Sequence, residues 1–255
     1  MKITALMIAF NLLMPDPVRA AEAKPAIDNS VRGTGPTNDP TRQTDADWMD
    51  DRYAKTKFGP FVSGHIATPK GSTHKGIAVR VGAKGGGAMV FDTDLCVWRA
   101  GWIGGFLKPH PRRYGLINPL TPDGTVVFSN PASPGVANED GSFADPRNPK
   151  NGPLPRGYVR YKGIYLAGDR VVLRYDVGKA EIYDAPWIHA GADGKLQLER
   201  VVMVKPANGE WFTMKLTDVT AKINLKELQV AGGGEIQGIT LEPGVLRWGA
   251  PIVTQ

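Results

Sequence analysis

The sequence predicts an all-β protein, a β-sandwich of antiparallel strands carrying a long Pro/Gly-rich loop insertion. Three observations carry that reading. Between residues 75 and 230 apolar side chains recur with a period of two, the spacing that lines one face of a strand. Gly 31 and Pro 21 among 255 residues weaken helix interiors and supply turns. Strand-like segments return at intervals of roughly ten residues, the rhythm of a sandwich or barrel. Hydrophobic residues at 42% and charged residues at 22% are ordinary globular values, so the chain as a whole is expected to fold.

The N-terminus stands apart. Lys2 precedes a short apolar run over residues 3–14, and Pro15 and Pro17 then stop any helix. Val18-Arg19-Ala20 follows with small or moderate side chains. This is the layout of a secretory signal peptide over residues 1–20, shorter than the ~20 apolar residues a membrane span needs. The chain is therefore expected to be exported, periplasmic or secreted, with no transmembrane segment. Residues 21–46 are rich in Ala, Asp, Asn, Thr, Pro and Gly. Too little apolar surface is available there to offset the ordering entropy, and a flexible linker is expected. A single β-sandwich domain is expected over 47–255, with Trp48, Tyr53, Phe58 and Phe61 as its aromatic foothold.

Within that domain Ile77, Val79 and Val81 alternate with Ala78 and Arg80. The glycine-rich run 82–87 lacks the Lys-Ser/Thr ending of a phosphate loop and reads as a hairpin turn. Residues 89–98 read as one strand. Met89, Phe91, Leu95 and Val97 then lie on the core side, and Asp92, Asp94, Cys96 and Trp98 on the other. Residues 108–158 hold ten prolines and one short apolar stretch, 125–128, and are expected to form a long surface loop. Residues 159–166 and 170–177 form the clearest hairpin, and Gly178-Lys179 turns the chain into 180–183. Segments 196–204, 211–219 and 223–230 continue the pattern.

Charge and cysteine content narrow the function. The formal net charge is +6, and loss of Lys2, Arg19 and Asp16 with the leader leaves +5. The basic residues are scattered and no nucleic-acid-binding motif is present, so no nucleic-acid partner is expected. An acidic glycan or an exported redox protein suits the charge better. Cys96 is the only cysteine, which excludes a disulfide framework, a cysteine-based zinc site and the CxxCH attachment of haem. His65, His74, His110 and His189 show no metal-ligand spacing. No metal and no cofactor are expected.

Several stretches together suggest a relationship. They are Lys75-Gly-Ile-Ala-Val-Arg80, Phe91-Asp-Thr-Asp-Leu95, Ala100-Gly-Trp-Ile-Gly-Gly-Phe106 and Gly152-Pro-Leu-Pro-Arg156. Tyr161-Lys-Gly-Ile-Tyr-Leu166 and Gly168-Asp-Arg-Val-Val-Leu-Arg-Tyr175 complete the set. Over roughly residues 48–215 the chain resembles an uncharacterised domain of secreted bacterial proteins. That domain lies near the N-terminus of large chains that also carry a quinoprotein-dehydrogenase-like propeller and a haem-binding cytochrome c module. The resemblance implies a place in periplasmic redox or carbohydrate processing. It supplies no catalytic residues, and redox activity belonging to those other modules is not assigned to this chain.

The candidate ligand site follows from alternation. Asp92 and Asp94 leave one strand face about 7 Å apart. They suit either hydroxyl or cation recognition or acid–base work, or else simple pairing with Lys or Arg at an exposed surface. Trp98 and Trp102 share that face if the strand has no bulge, and serve there as a sugar platform or as core. Arg112, Arg113 and Tyr114 open the Pro-rich loop beside them. The ligand-binding set is thus Asp92, Asp94, Trp98, Trp102, Arg112, Arg113 and Tyr114, with no catalytic residue assigned. The first reading is an exported non-catalytic module, accessory or glycan-recognising, beside a periplasmic redox or carbohydrate-processing partner. The alternatives are a carbohydrate-active enzyme using Asp92, Asp94 and Glu181, and a docking subunit for a separate cytochrome or dehydrogenase. N-terminal sequencing of protein recovered from an export-competent host should find the chain beginning near Ala21, and an intact Met1 on exported protein would overturn the leader.

Overall fold

Short turns set the architecture. In the computed structural model the described residues are 56–111, 118–190, 194, 196–205, 212–215, 220–223, 228–231, 237–242 and 245–250. All belong to the unit Trp48–Gln255. The expected leader and linker lie outside them. The described residues form strands and turns without a helix, so none is long and apolar enough to cross a membrane.

The first sheet contains β1 (Phe61–Ile66), β2 (Thr73–Val81), β3 (Gly87–Asp92) and β4 (Val97–Ile103). A two-stranded ribbon follows, β5 (Leu107–Lys108) with β6 (Thr121–Pro122), and then β7 (Thr125–Ser129), which joins the first sheet beside β4. The second sheet begins with β8 (Val159–Ala167), β9 (Arg170–Val177), β10 (Ala180–Ala190) and β11 (Leu196–Lys205). A small sheet of β12 (Phe212–Lys215), β13 (Thr220–Ile223) and β14 (Leu228–Ala231) comes next. The chain then returns to the second sheet as β15 (Gln237–Glu242) and β16 (Val245–Ala250), in the order β15-β16-β11-β10-β9-β8. Every pairing between these strands is antiparallel, as the sequence predicts. The expected turns are present: 82–86 joins β2 to β3, Gly168-Asp169 joins β8 to β9, and Gly178-Lys179 joins β9 to β10. Gly168 and Gly178 hold φ of 60° and 56°, a region that costs glycine little.

Two layers meet at the main core. Ile77 and Val79 of β2 and Met89 and Phe91 of β3 face Leu173 and Tyr175 of β9, Ile182 of β10 and Leu198 of β11. Each such fully buried side chain contributes about 1.5–3 kcal/mol. The reverse face of the first sheet is buried too. Ala78, Ala88, Val90, Ala100 and Trp102 lie against Ile66, Phe106, Leu107 and Leu120 from β1 and the β5–β6 ribbon. Consequently all six residues of β3 are buried.

Two expectations need correction here. Residues 89–98 are not one strand. β3 ends at Asp92, residues 93–96 turn, and Asp92 pairs across the hairpin with Val97. Asp92 Oδ1 accepts from the backbone N–H groups of Asp94 (3.0 Å) and Leu95 (3.1 Å). This is the aspartate turn that competes with a continuing strand. Cys96 closes it at φ 48°. The segment 108–158 is also more ordered in its pairing than a free loop. It contributes the β6 and β7 strands, and three of its described residues are bound to the body by backbone hydrogen bonds. Gly135 N–H donates to Leu95 O (2.9 Å), Leu154 N–H to Asp94 O (3.0 Å), and Ala137 N–H to Thr213 O (2.7 Å). Val136 and Leu154 enter the main core.

Inside that core lies one ionic group. The Arg200 Nη2 of β11 is 2.5 Å from Asp184 Oδ2 of β10, with Nε 3.3 Å from Oδ1. Asp184 Oδ2 also accepts from the Trp98 indole N–H of the first sheet (3.0 Å) and from the Tyr175 hydroxyl of β9 (3.0 Å). Arg200 Nη1 reaches the Lys215 carbonyl at 3.2 Å. Burial works against the Arg200 charge, but Asp184 beside it more than offsets this and holds the guanidinium above its ordinary value. Burial, then the Asp184 charge, push the Tyr175 phenol well above its usual range, so it remains a donor.

Two stability results are expected. Asp184→Asn should cost about 3–5 kcal/mol in urea unfolding, because Arg200 is left buried without its counter-charge. The double replacement Asp184→Leu with Arg200→Leu should cost less than the two single changes summed. Separately, a Cβ at Gly135 would fall 1.9 Å from Cys96 O, whereas one at Gly59 meets nothing within 4 Å. Gly135→Ala should therefore lose about 1–3 kcal/mol, and Gly59→Ala should stay within about 0.5 kcal/mol.

Candidate functional site

Asp92, Asp94, Trp98 and Trp102, the described residues expected to form a ligand site, do not share a surface. Asp92 is 6% exposed, and its second oxygen accepts from Thr73 Oγ1 (2.8 Å) and lies 3.5 Å from Arg99 Nη1. Its acceptor capacity serves the turn and the buried arginine. Asp94 lies on the turn, 3.3 Å from the Lys75 ammonium. Trp98 and Trp102 are both fully buried, on opposite faces of the first sheet. The reason is a bulge: Val90 pairs with Ala100 but Phe91 with Trp98, so Arg99 is an extra residue. An extra residue reverses the alternation beyond it. Trp98 therefore faces the second sheet, and Trp102 faces the β5–β6 ribbon, donating its indole N–H to Phe106 O at 2.6 Å. Arg112, Arg113 and Tyr114 lie outside the described residues. The Pro-rich segment does reach the 92–96 turn, but it seals the turn through backbone hydrogen bonds.

Arg99 itself is fully buried. It donates to the carbonyls of Lys70 (2.8 Å), Gly71 (3.1 Å) and Asn130 (3.1 Å), fastening two loops to β4. His65 and His74 are brought together across β1 and β2 with stacked rings 4.4 Å apart. Burial, then the neighbouring imidazole, lower the pKa of His65. Among the described residues no group of three His, Cys, Asp or Glu is placed to hold a metal ion.

A different surface has the properties of a binding face. On β10 Ile182, Asp184 and Ile188 point into the core, so Glu181, Tyr183 and Trp187 point outward. On β9 the core positions are Val171, Leu173 and Tyr175, leaving Arg174 and Asp176 outside. On β8 the register shifts between Tyr161 and Gly163: Tyr161 pairs with Tyr175, but Gly163 pairs with Arg174. Lys162 is the extra residue, and the shift turns Tyr165 outward, 40% exposed. Without it Tyr165 would share the core side with Tyr161. Sequence reasoning did not assemble this face; the local signal for the β8 shift was Gly163 inside a strand, a mark of bulges.

The outer face is assembled from contacts among these side chains. The Tyr165 and Tyr183 rings lie 6.0 Å apart with a 39° tilt. The Arg174 guanidinium sits 5.8 Å from the Tyr183 centroid and 3.5 Å from the Tyr165 hydroxyl, and pairs with Glu181 at 3.1 Å. The Tyr183 hydroxyl donates to Glu181 Oε2 at 3.0 Å. Further along, the Arg170 guanidinium covers the Trp187 ring at 4.1 Å. Rigid aromatic surface beside fixed donors and acceptors suits a ligand that is apolar on one side and hydroxylated at its edge.

Comparison with known proteins finds no match among curated proteins or solved structures. Residues 89–184 match the model of a family described as a domain of unknown function, DUF6797. The matched span runs from β3 into β10. It includes the aspartate turn, the Arg99 bulge and the hairpin bearing Tyr165 and Arg174, and it ends just beyond Tyr183. Nothing in the match adds a propeller or a cytochrome module, and what it establishes is that the chain carries a DUF6797 domain of unknown function at residues 89–184.

Proposed function

We propose that the protein is an exported, non-catalytic β-sandwich module that recognises a glycan on the outer face of β8, β9 and β10. It works beside a periplasmic redox or carbohydrate-processing partner. The observation that carries this reading is the outward-facing Tyr165–Tyr183 pair, with Arg174 and Glu181 beside the rings. A pyranose presents a patch of C–H groups that stacks on an aromatic ring, while its hydroxyls take hydrogen bonds from the flanking polar groups. The resemblance to domains of secreted chains with propeller and cytochrome modules supports the setting, and the apolar N-terminal run supports export.

The enzyme alternative draws no support from Asp92, whose oxygens are occupied by Thr73, Arg99 and two backbone N–H groups. Asp94 points its charge at Lys75 instead of at a second free carboxylate. A docking role resting on Arg112 and Arg113 concerns residues outside those described.

The test is retention on polysaccharide-containing native gels, comparing wild type with the Tyr165→Ala/Tyr183→Ala double variant. Loss of two stacking rings at about 0.5–1.5 kcal/mol each should weaken binding by about fivefold to a hundredfold. Unfolding by urea should move by less than about 1 kcal/mol, because both rings are partly exposed. Equal retention of both proteins would remove the outer face from the reading.

A further inference from the structure

We infer that the glycan taken by the β8–β10 face is neutral, not acidic; this deepens the glycan reading above and rests on it. The chain is basic overall, with a net charge of +6, and that excess by itself points to an acidic ligand. The described outer face is arranged differently. Arg174 Nη2 lies 3.1 Å from Glu181 Oε1, and Lys162 Nζ lies 3.0 Å from Asp176 Oδ2. Glu181 also accepts from the Tyr183 hydroxyl at 3.0 Å. The Arg170 guanidinium is engaged with the Trp187 ring at 4.1 Å. Three cations of this face are thus engaged, Arg174 and Lys162 with protein carboxylates and Arg170 with an aromatic face.

An acidic sugar arriving at Tyr165 and Tyr183 would meet Glu181 as a like charge. To pair with Arg174 it would have to displace that carboxylate, exchanging one ion pair for another with no gain in charge matching. A hydroxyl has no such conflict. It is both donor and acceptor, so one hydroxyl can donate to a lone pair on Glu181 while another accepts an N–H of Arg174, leaving the ion pair in place. A carboxylate offers about four lone-pair sites and a guanidinium five N–H donors, enough for both uses. The expectation of an acidic ligand drew on Arg112 and Arg113, which lie outside the described residues.

The experiment uses the full chain and four soluble polymers: galactomannan and hydroxyethyl cellulose as neutral probes, polygalacturonate and alginate as acidic ones. Binding is measured at about 20 mM and about 500 mM NaCl, where screening of exposed charges differs strongly. Expected is binding to a neutral polymer that is lost in the Tyr165→Ala/Tyr183→Ala variant and changes less than about twofold with salt. Glu181→Gln should weaken that binding or leave it unchanged, without creating tyrosine-dependent binding to an acidic polymer. Tyrosine-dependent binding to polygalacturonate or alginate that falls about tenfold in high salt, or rises in Glu181→Gln, would overturn the neutral assignment and leave the glycan reading standing. Failure of all four polymers would overturn the glycan reading, and this inference with it.

Discussion

The carboxylate of Asp184 is the point on which the two sheets agree. It takes charge from Arg200 on its own sheet, a hydroxyl from Tyr175 one strand away, and an indole N–H from Trp98 on the opposite sheet. Hydrophobic contact alone holds two sheets together without fixing their relative position, since apolar attraction has no direction. A buried carboxylate with three named donors has direction, and a slip of either sheet leaves it short of partners. That constraint places Phe91, which packs on both Trp98 (5.2 Å) and Tyr175 (5.5 Å), at the centre of the main core. It also fixes the face of β10. With Asp184 inward, Glu181, Tyr183 and Trp187 can only be outward.

The second sheet was largely legible in the sequence. Strand β9 is buried on one side and more open on the other, so the alternation of Val171, Leu173 and Tyr175 with Arg174 and Asp176 reports directly on its faces. Glycines at 168 and 178 mark the turns. The first sheet was not, because both its faces are covered. In β3 and β4 apolar residues fill successive positions, and alternation then carries no information about side. Asp92 read as a wet strand position although it is the buried hub of a turn, and the Arg99 bulge separates two tryptophans that an unbroken strand would align. The returning β15–β16 pair lay beyond the last segment read as a strand.

Bulges also explain why the outer face of β8–β10 was hidden. A single inserted residue, Lys162, decides whether Tyr165 belongs to the core or to the surface, and period-two reasoning has no way to count an insertion it cannot see. Glu181, Tyr183 and Trp187 did carry the right spacing for one face. Their significance came from what lies beside them on β8 and β9, which depends on register between strands and not on any one strand's pattern. The same structural device therefore buries aromatics in one sheet and displays them in the other.

Cys96 closes the tight turn between β3 and β4, 4% exposed, with its sulfur 3.6 Å from the Thr93 carbonyl. Burial, then the charges of Asp92 and Asp94, disfavour the thiolate strongly. Disulfide exchange proceeds through the thiolate attacking another sulfur, and this sulfur offers neither the charge nor the access. A chain whose one thiol is sequestered in this way has no competing covalent isomers in its native state. Its native fold is insensitive to the thiol–disulfide balance around it, so glutathione, oxidoreductases or a neighbouring electron carrier can vary in oxidation state without altering its covalent form.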